Sequence, residues 1–240
     1  MSRKTRANRK SSSSFVPTFG SDRFPSEKNQ KTYEKLNLLR FVWAERKVVL
    51  DEFDPKIRRS FERRGWLTLM DIDHPPPTTL IREFYSNLFV HTYDSNTQVK
   101  SWIRGEEYII TPTVVADALR VPLVQHHVYP YDESPPFDDI MSYITGNSIQ
   151  WGSDPRITFH ELTDIHYLFF RISCHSIWPI SQLLTIPIER CAFLYDLVTN
   201  AFISFPHLFL RSLVEVYRSS SSAHAHFFPI FIHHFYCIWD

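Results

Sequence analysis

Apolar residues recur at helical spacing along much of the chain, and the clearest case lies between residues 80 and 89. There they form one broad stripe with the period of an α-helix, at Leu80, Ile81, Phe84, Tyr85, Leu88 and Phe89. The prolines of the segment 75–77 cannot continue an earlier helix, whereas Thr78 or Thr79 can cap a new one. The pattern predicts a core helix that begins at these threonines.

Start and stop signals predict a shorter helix before it, over about 55–64. Asp54 can cap the free amides of its first turn, and Pro55 suits the first helical position. Gly65 permits the left-handed backbone that ends a helix. Trp66, next to this stop, is expected to pack inward.

A β-hairpin is predicted after the core helix. The β-prone runs Val99–Ile103 and Tyr108–Ile110 flank the sequence Arg-Gly-Glu-Glu, which suits a tight turn. Thr111-Pro112 then opens another helix, which Pro122 ends.

The C-terminal half is predicted to consist of successive helices. Thr158-x-x-Glu161 matches a capping box ahead of an apolar helical pattern at Leu162, Ile165, Phe169 and Ile172. Prolines at first helical positions predict three more helices, which begin at Pro187, Pro206 and Pro229. The segment 126–156 is rich in Pro, Gly, Asp and Ser, and it predicts a loop-rich excursion with one short helix.

Together these patterns predict a mainly α fold, an irregular multi-helix domain with one small β-hairpin. The chain has 240 residues, of which 43% are hydrophobic, and this is enough for one large domain or two small ones. We expect residues 1–30 to be a disordered basic and Ser-rich tail, and residues 31–240 to be a single domain. The last residues, HHFYCIWD, still follow an apolar helical pattern, so we expect a truncated C-terminus.

Charge is distributed unevenly along the chain. The first ten residues contain five cations and no acid, namely Arg3, Lys4, Arg6, Arg9 and Lys10. Because the formal net charge of the whole protein is zero, the remainder carries −5. The basic run is a candidate nuclear address or nucleic-acid arm, whereas the body is mildly acidic.

Composition disfavours several functional classes. Only 5 glycines are present, which argues against phosphate-cradling loops and nucleotide cofactors. Cys174, Cys191 and Cys237 fit no metal ribbon or disulfide framework, so they are expected to be buried thiols in a reducing, intracellular compartment. The charge-free run from 224 to 239 is too short and polar to span a bilayer, so no membrane association is expected.

Several segments carry a family resemblance. They are ERRGW at 62–66, LIREFYSNL at 80–88, IRGEEYIITPTVVADALRVP at 103–122, PIERCAFLYDLVTNAFISF at 187–205 and FFPIFIHHF at 227–235. In these segments the chain resembles the plant transposon protein domain family, over roughly residues 30–239. The resemblance implies an origin in transposable elements and no established activity. The family pattern continues beyond this C-terminus, which supports the expected truncation.

A transposase active site is the first chemistry to weigh against this sequence. It needs three carboxylates on a mixed sheet to hold two metal ions. Asp71 and Asp73 are the nearest match, but no alternating strands follow them, and the prolines of 75–77 close the segment. No Gly-x-Ser-x-Gly motif is present for nucleophilic catalysis either. We therefore predict no catalytic residues and a protein that is not an enzyme.

A metal site is the second chemistry to weigh. His233, His234 and Cys237 share one side of a predicted helix, with His224 and His226 one to two turns earlier. The surrounding Phe and Ile residues favour a half-buried helix with polar histidines on its outer side. The spacing of HELTDIH, 160–166, differs from that of a zinc protease. No metal site and no cofactor are predicted.

Nucleic-acid contact is the remaining candidate chemistry. Lys56, Arg59 and Arg63 lie at i, i+3 and i+7 on the predicted 55–64 helix and form a basic ridge, which Glu62 interrupts. Trp66 and Trp102 are candidates to stack on bases. The leading hypothesis is a non-enzymatic structural or interaction domain derived from a plant transposable element. The alternative is a nucleic-acid-binding protein that uses the basic tail and this ridge; a protein partner and a nucleic acid both stay open.

Overall fold

The computed structural model describes residues 23–38, 47–71, 77–93, 96–131, 135–147, 156–178, 184–218 and 231–232. Within these ranges the helices are α1 (Glu27–Leu38), α2 (Pro55–Arg63), α3 (Thr78–Ser86), α4 (Pro112–Leu119), α5 (Phe137–Thr145), α6 (Asp164–Ile172), α7 (Ile188–Val198) and α8 (Phe205–Arg218). The strands are β1 (Phe89–Tyr93), β2 (Asn96–Ile103), β3 (Glu106–Ile110), β4 (Arg156–Thr158) and β5 (Thr185–Pro187). The prediction of a mainly α fold is confirmed.

The helix signals of the sequence act as expected at α2 and α4. The Asp54 carboxylate accepts a hydrogen bond from the Lys56 amide at 2.7 Å, and Gly65 follows the helix at φ +66°. The Thr111 hydroxyl accepts from the Val114 amide at 3.2 Å. These local bonds satisfy amides that have no partner inside the helix.

Two helices differ from their predictions at one end. α3 begins at Thr78 but has no side-chain cap, because Pro77 occupies the cap position. It ends at Ser86, so Phe89 belongs to β1 rather than to the helical stripe. The capping box is present, with the Glu161 carboxylate accepting from the Thr158 amide at 2.6 Å, but it caps a short 3₁₀ turn, and α6 begins only at Asp164.

The β structure is larger than the single hairpin expected from the sequence. β2 and β3 form the predicted hairpin around Arg104 and Gly105, which have φ values of +48° and +87°. β1 adds a third antiparallel strand on the other edge of β2, and β4 pairs with β5 elsewhere. The sequence does not predict β1 or the first three residues of β2, because the outer part of this sheet faces solvent and is polar, with Thr92, Thr97 and Gln98 exposed.

One hydrophobic core joins the helices and the three-stranded sheet. Trp66 lies at its centre, stacked on Phe193 with ring centroids 6.4 Å apart and edge-on to Phe205 at 6.0 Å. The predicted inward packing of Trp66 is therefore confirmed. Phe231 is fully buried between Phe84 and Phe209, at centroid distances of 6.2 and 4.4 Å. A segment close to the C-terminus thus completes the core.

Several predictions fall partly or wholly outside the described residues. Residues 1–22 of the expected tail are outside them, and α1 begins at Glu27, before the expected start of the domain at residue 31. Of the predicted helix at Pro229, only residues 231–232 are described, and they are helical. Cys174 and Cys191 are buried free thiols, and burial raises the pKa of each to about 12. No helix in the described ranges combines the length and the apolar character needed to cross a membrane.

Candidate functional site

A groove of about 290 Å³ lies between α2, α6 and the end of α7. Its polar side is formed by α2, with Lys56, Arg59, Ser60 and Arg63. The facing side consists of Ile165, Phe169, Val198 and Asn200. We call this site the α2 groove. It combines a row of cations with an apolar wall.

The apolar wall of the α2 groove is continuous with the core. Phe169 is 5% exposed, and its ring packs against Phe61 with centroids 5.7 Å apart. Ile165 lies at the rim and is 39% exposed, one of the large apolar side chains that the described structure leaves open to solvent. The groove therefore has a fixed apolar floor and one accessible apolar edge.

The cations of the groove differ from the other basic residues of α2. Lys56, Arg59 and Arg63 form no ion pair with any acid in the described part of the chain; Arg59 donates only to the Pro55 carbonyl, at 3.3 Å. Arg58, on the same helix, is instead paired with Asp51. Glu62, which the sequence suggested would interrupt the ridge, is not a lining residue.

Behind the groove, the Arg64 side chain ties α2 to the end of α7. It donates to the Asn200 amide oxygen at 3.2 Å and to the Ser60 hydroxyl at 3.3 Å, so it holds the two uncharged polar residues of the lining in place. It also donates to the backbone carbonyls of Asp196 and Ala201 at 3.0 and 3.1 Å. We call this contact the Arg64 joint. Burial lowers the pKa of the Arg64 guanidinium to about 10, although Asp196 opposes that shift.

The Arg64 joint contains a buried carboxylate with an unusual environment. Asp196 is 1% exposed, and its Oδ1 atom accepts a hydrogen bond from the Tyr131 hydroxyl at 3.0 Å. Its Oδ2 atom is buried and has no hydrogen-bond partner among the described residues. Burial raises the pKa of Asp196 to about 6, against the opposite effects of the Tyr131 hydrogen bond and the Arg64 charge.

A second buried carboxylate ties α3 to the hairpin and to the start of α1. Glu83 is 2% exposed; its Oε2 accepts from the Arg23 guanidinium at 2.8 Å, and its Oε1 accepts from the Arg104 amide in the hairpin turn at 2.7 Å. The Asn87 side chain adds bonds to the carbonyls of Arg23 and Trp102, at 2.9 and 2.7 Å. We call this contact the Glu83 joint. Its polar groups hold secondary structure together.

The structure brings together only part of the nucleic-acid contact set predicted from the sequence. Lys56, Arg59 and Arg63 share the α2 groove. Trp66 is 1% exposed and Trp102 is half-buried, so Trp66 cannot stack on a base. The tail residues of the set lie outside the described residues: Arg3, Lys4, Arg6, Arg9 and Lys10.

The structure describes only some of the residues that were considered for catalysis and for metal binding. Asp71 is exposed and paired with Lys47 at 2.8 Å, after a 3₁₀ turn rather than a strand; Asp73 is outside the described ranges. The His166 ring contacts the Thr163 hydroxyl at 2.6 Å, and His160 is on a 3₁₀ turn. The cluster of His233, His234 and Cys237, with His224 and His226, lies outside the described residues. Among the residues that the structure describes, no three His, Cys, Asp or Glu side chains are grouped so that they could hold a metal ion.

Sequence reasoning missed the wall of the groove. Ile165 and Phe169 were recognised only as members of an apolar helical stripe, and nothing near them in the sequence indicates α2 as their neighbour. Asn200 has φ +60°, a left-handed conformation that Asn tolerates at helix ends, so its turn position had a local signal but its contact with Arg64 had none.

A comparison with family models gives the origin of the chain. The model described as "Putative plant retrotransposon-related domain" matches residues 62–237. The chain belongs to this family. Searches of curated proteins and of solved structures find no match. The retrotransposon-related match includes Arg63 and the apolar wall of the α2 groove, whereas Lys56 and Arg59 precede it.

The segments by which this retrotransposon-related domain was recognised contact one another. ERRGW meets the α7 segment through Arg64 and through Trp66 on Phe193. A β-carbon on Gly65 would lie 2.9 Å from the Cδ atom of Pro122, the last residue of the hairpin and α4 segment. The segments that carry the resemblance are therefore segments whose mutual contacts build the fold.

Proposed function

We propose that this transposon-derived domain is a non-enzymatic interaction module. The observation that carries the proposal is that buried and half-buried polar side chains are used to hold the elements of the fold together. Glu83, Asn87 and Arg64 each bridge separate elements of the fold. Side chains engaged in this way stabilise a scaffold, and a scaffold with an open groove is suited to binding.

A binding partner of this module can be sought directly. Proximity labelling in plant cells, followed by reconstitution from purified components, should yield a stoichiometric complex that persists at moderate salt, since burial of apolar surface depends little on ionic strength. Cleavage of nucleic acid by the purified chain in Mg²⁺ or Mn²⁺, lost on replacing Asp71 by Asn, would overturn the non-enzymatic part of the proposal.

Nucleic-acid binding is the second candidate function. It is favoured by the row of Lys56, Arg59 and Arg63, which have no acidic partner among the described residues, and by the basic tail before them. Binding to phosphates releases counterions, so affinity should fall steeply between low and moderate salt. A gel-shift titration with DNA and RNA at low salt tests this candidate, and absence of retention there would remove it.

The proposal also places the protein inside the cell, with the basic run as a nuclear address. A fluorescent fusion should enter the nucleus and lose this preference when the tail cations Arg3, Lys4, Arg6, Arg9 and Lys10 are replaced by Gln. Because this replacement leaves Lys56, Arg59 and Arg63 unchanged, its effect on localisation can be assigned to the tail and not to the α2 groove. Unchanged distribution would contradict the nuclear part of the proposal.

A further inference from the structure

We infer that the α2 groove binds an acidic peptide segment of a partner protein, with one large apolar side chain of that segment seated against Ile165 and Val198. This inference rests on the proposed interaction function and names the chemistry of its partner. It assigns a ligand class to a surface that the family likeness leaves without one.

The charges of the groove indicate the acidic character of the segment. Lys56, Arg59 and Arg63 are exposed and line one side, and no described acid neutralises them by an ion pair. Over the seven positions from Lys56 to Arg63 a helix rises about 10 Å. Two carboxylates of a short extended peptide can meet a row of this length, since side chains on one side of a strand are spaced by about 7 Å.

The opposite wall indicates the apolar anchor. Ile165 and Val198 are aliphatic, and Phe169 closes the floor. A volume of about 290 Å³ lies at the lower end of the range for ligand pockets, roughly 300–1,000 Å³. It has room for an anchoring side chain rather than for a bulky cofactor. The Asn200 amide, held by Arg64, can hydrogen-bond to the peptide backbone at the rim.

Several observations favour a peptide over a nucleic acid in this groove. Bases bind to proteins by stacking on open aromatic rings, but the one ring of the groove, Phe169, is 5% exposed. Exposed acids lie next to both walls, with Asp54 capping α2 and Asp164 preceding Ile165. A continuous phosphate chain would pass these acids, whereas a short peptide can end before them.

The experiment uses a phage-displayed random peptide library, selected on the purified full chain at moderate salt. Enriched peptides are synthesised with a fluorescent label and titrated by anisotropy. We expect sequences with Asp or Glu around one Leu, Phe or Trp. Lys56→Gln/Arg59→Gln/Arg63→Gln should weaken their binding about tenfold, and Ile165→Ser about fivefold.

Arg58→Gln is the matched control, because it removes one charge from the same helix at a position outside the groove. It should change affinity by less than about twofold. All substituted side chains are exposed, and thermal unfolding checks that each variant folds.

Three outcomes would overturn the inference. Failure to enrich any peptide does so, and so does enrichment of peptides that bind the triple variant as well as the wild type. In the latter case the interaction function survives at another surface. A random single-stranded oligonucleotide that binds more tightly than the peptides, and is sensitive to the triple variant but not to Ile165→Ser, would replace the peptide by nucleic acid.

Discussion

The two joints of this domain bury a carboxylate to the same degree but surround it differently. In the Glu83 joint both carboxylate oxygens accept hydrogen bonds, from the Arg23 guanidinium and from the Arg104 amide. In the Arg64 joint the guanidinium binds backbone carbonyls, and one oxygen of Asp196 has no hydrogen-bond partner in the part of the chain that the structure describes. A carboxylate that is buried without full hydrogen bonding favours its neutral form, which agrees with the raised pKa of Asp196.

The difference teaches that the two joints are held by different forces. The Glu83 joint depends on a charge pair, so the loss of Arg23 leaves a buried carboxylate that keeps the hydrogen bond from the Arg104 amide but loses the guanidinium. At the Arg64 joint, the burial of Asp196 outweighs the attraction of Arg64 and the Tyr131 hydrogen bond, so the net effect of its charge is unfavourable. Close packing beside the joint, with Gly65 against Pro122 and Trp66 against Phe193, holds this part of the fold. Loss of charge should therefore destabilise the protein at the Glu83 joint but stabilise it at the Arg64 joint. Added volume should destabilise it strongly next to the Arg64 joint.

The largest expected effect on stability comes from the close packing beside the Arg64 joint, where Gly65 lies against Pro122. Gly65→Ala should lower the free energy of unfolding by about 3 to 4 kcal/mol, because it adds a left-handed alanine and a close contact with Pro122. Gly146→Ala is the matched control, since it has φ +71° but its nearest contact would be 3.6 Å. It should cost about 1 to 2 kcal/mol. Urea unfolding measures both, and equal losses would show that the Pro122 contact is unimportant.

The charge of the Glu83 joint should have the next largest effect. Arg23→Ala should cost about 3 kcal/mol, at the lower end of the range for a broken buried pair, because Arg23 itself is 46% exposed. Lys100→Ala breaks the Lys100–Glu107 pair on the sheet surface and should cost no more than about 1 kcal/mol. Similar losses in the two variants would contradict the special role of the Glu83 joint.

Removal of the charge from the Arg64 joint should stabilise the protein in a pH-dependent way. The folded pKa of Asp196, about 6, exceeds its ordinary value of 3.8, so folding takes up a proton. The contribution of Asp196 to stability is therefore greatest below about pH 4, declines as the pH rises to about 6 and stays low above that.

Asp196→Asn should remove this decline and raise the free energy of unfolding near pH 8 by about 2 kcal/mol. Urea unfolding at a series of pH values gives the comparison with the wild type. A variant that keeps the wild-type decline between pH 4 and 6, or that is less stable near pH 8, would show that Asp196 is not the titrating group.

The smallest effect is expected from the hydroxyl that partly satisfies Asp196. Tyr131→Phe removes the hydrogen bond to Oδ1 and should cost about 1 kcal/mol near neutral pH, with a smaller loss near pH 4, where the carboxyl is protonated. Tyr143→Phe, in an exposed position, should leave stability unchanged. A loss that is the same at both pH values would mean that the hydroxyl acts independently of the Asp196 charge.

Local signals account for the elements that the sequence predicted well. The Asp54 cap, the Gly65 stop and the Thr111-Pro112 start depend on bonds within a few residues, and these bonds form as expected. The sequence does not predict the end of α3, because the side chain of Asn87 bonds to Arg23 and Trp102, residues outside the helix stripe. It does not predict β1, because the outer part of the sheet is polar and faces solvent. The basic side of the groove had a local signal in its helical spacing, whereas its apolar wall had none.

By itself, the sequence determined most of the helices after residue 54, where the hairpin turns, the family, and the basic ridge on α2, because backbone propensity, capping and side-chain period act over a few residues. It did not predict α1. The tertiary structure alone decided that Glu83 and Asp196 are buried in unlike surroundings, and that Ile165 and Asn200 face the ridge to form a groove. These contacts join residues far apart in the chain, and packing and desolvation act on such neighbours only after the core has formed.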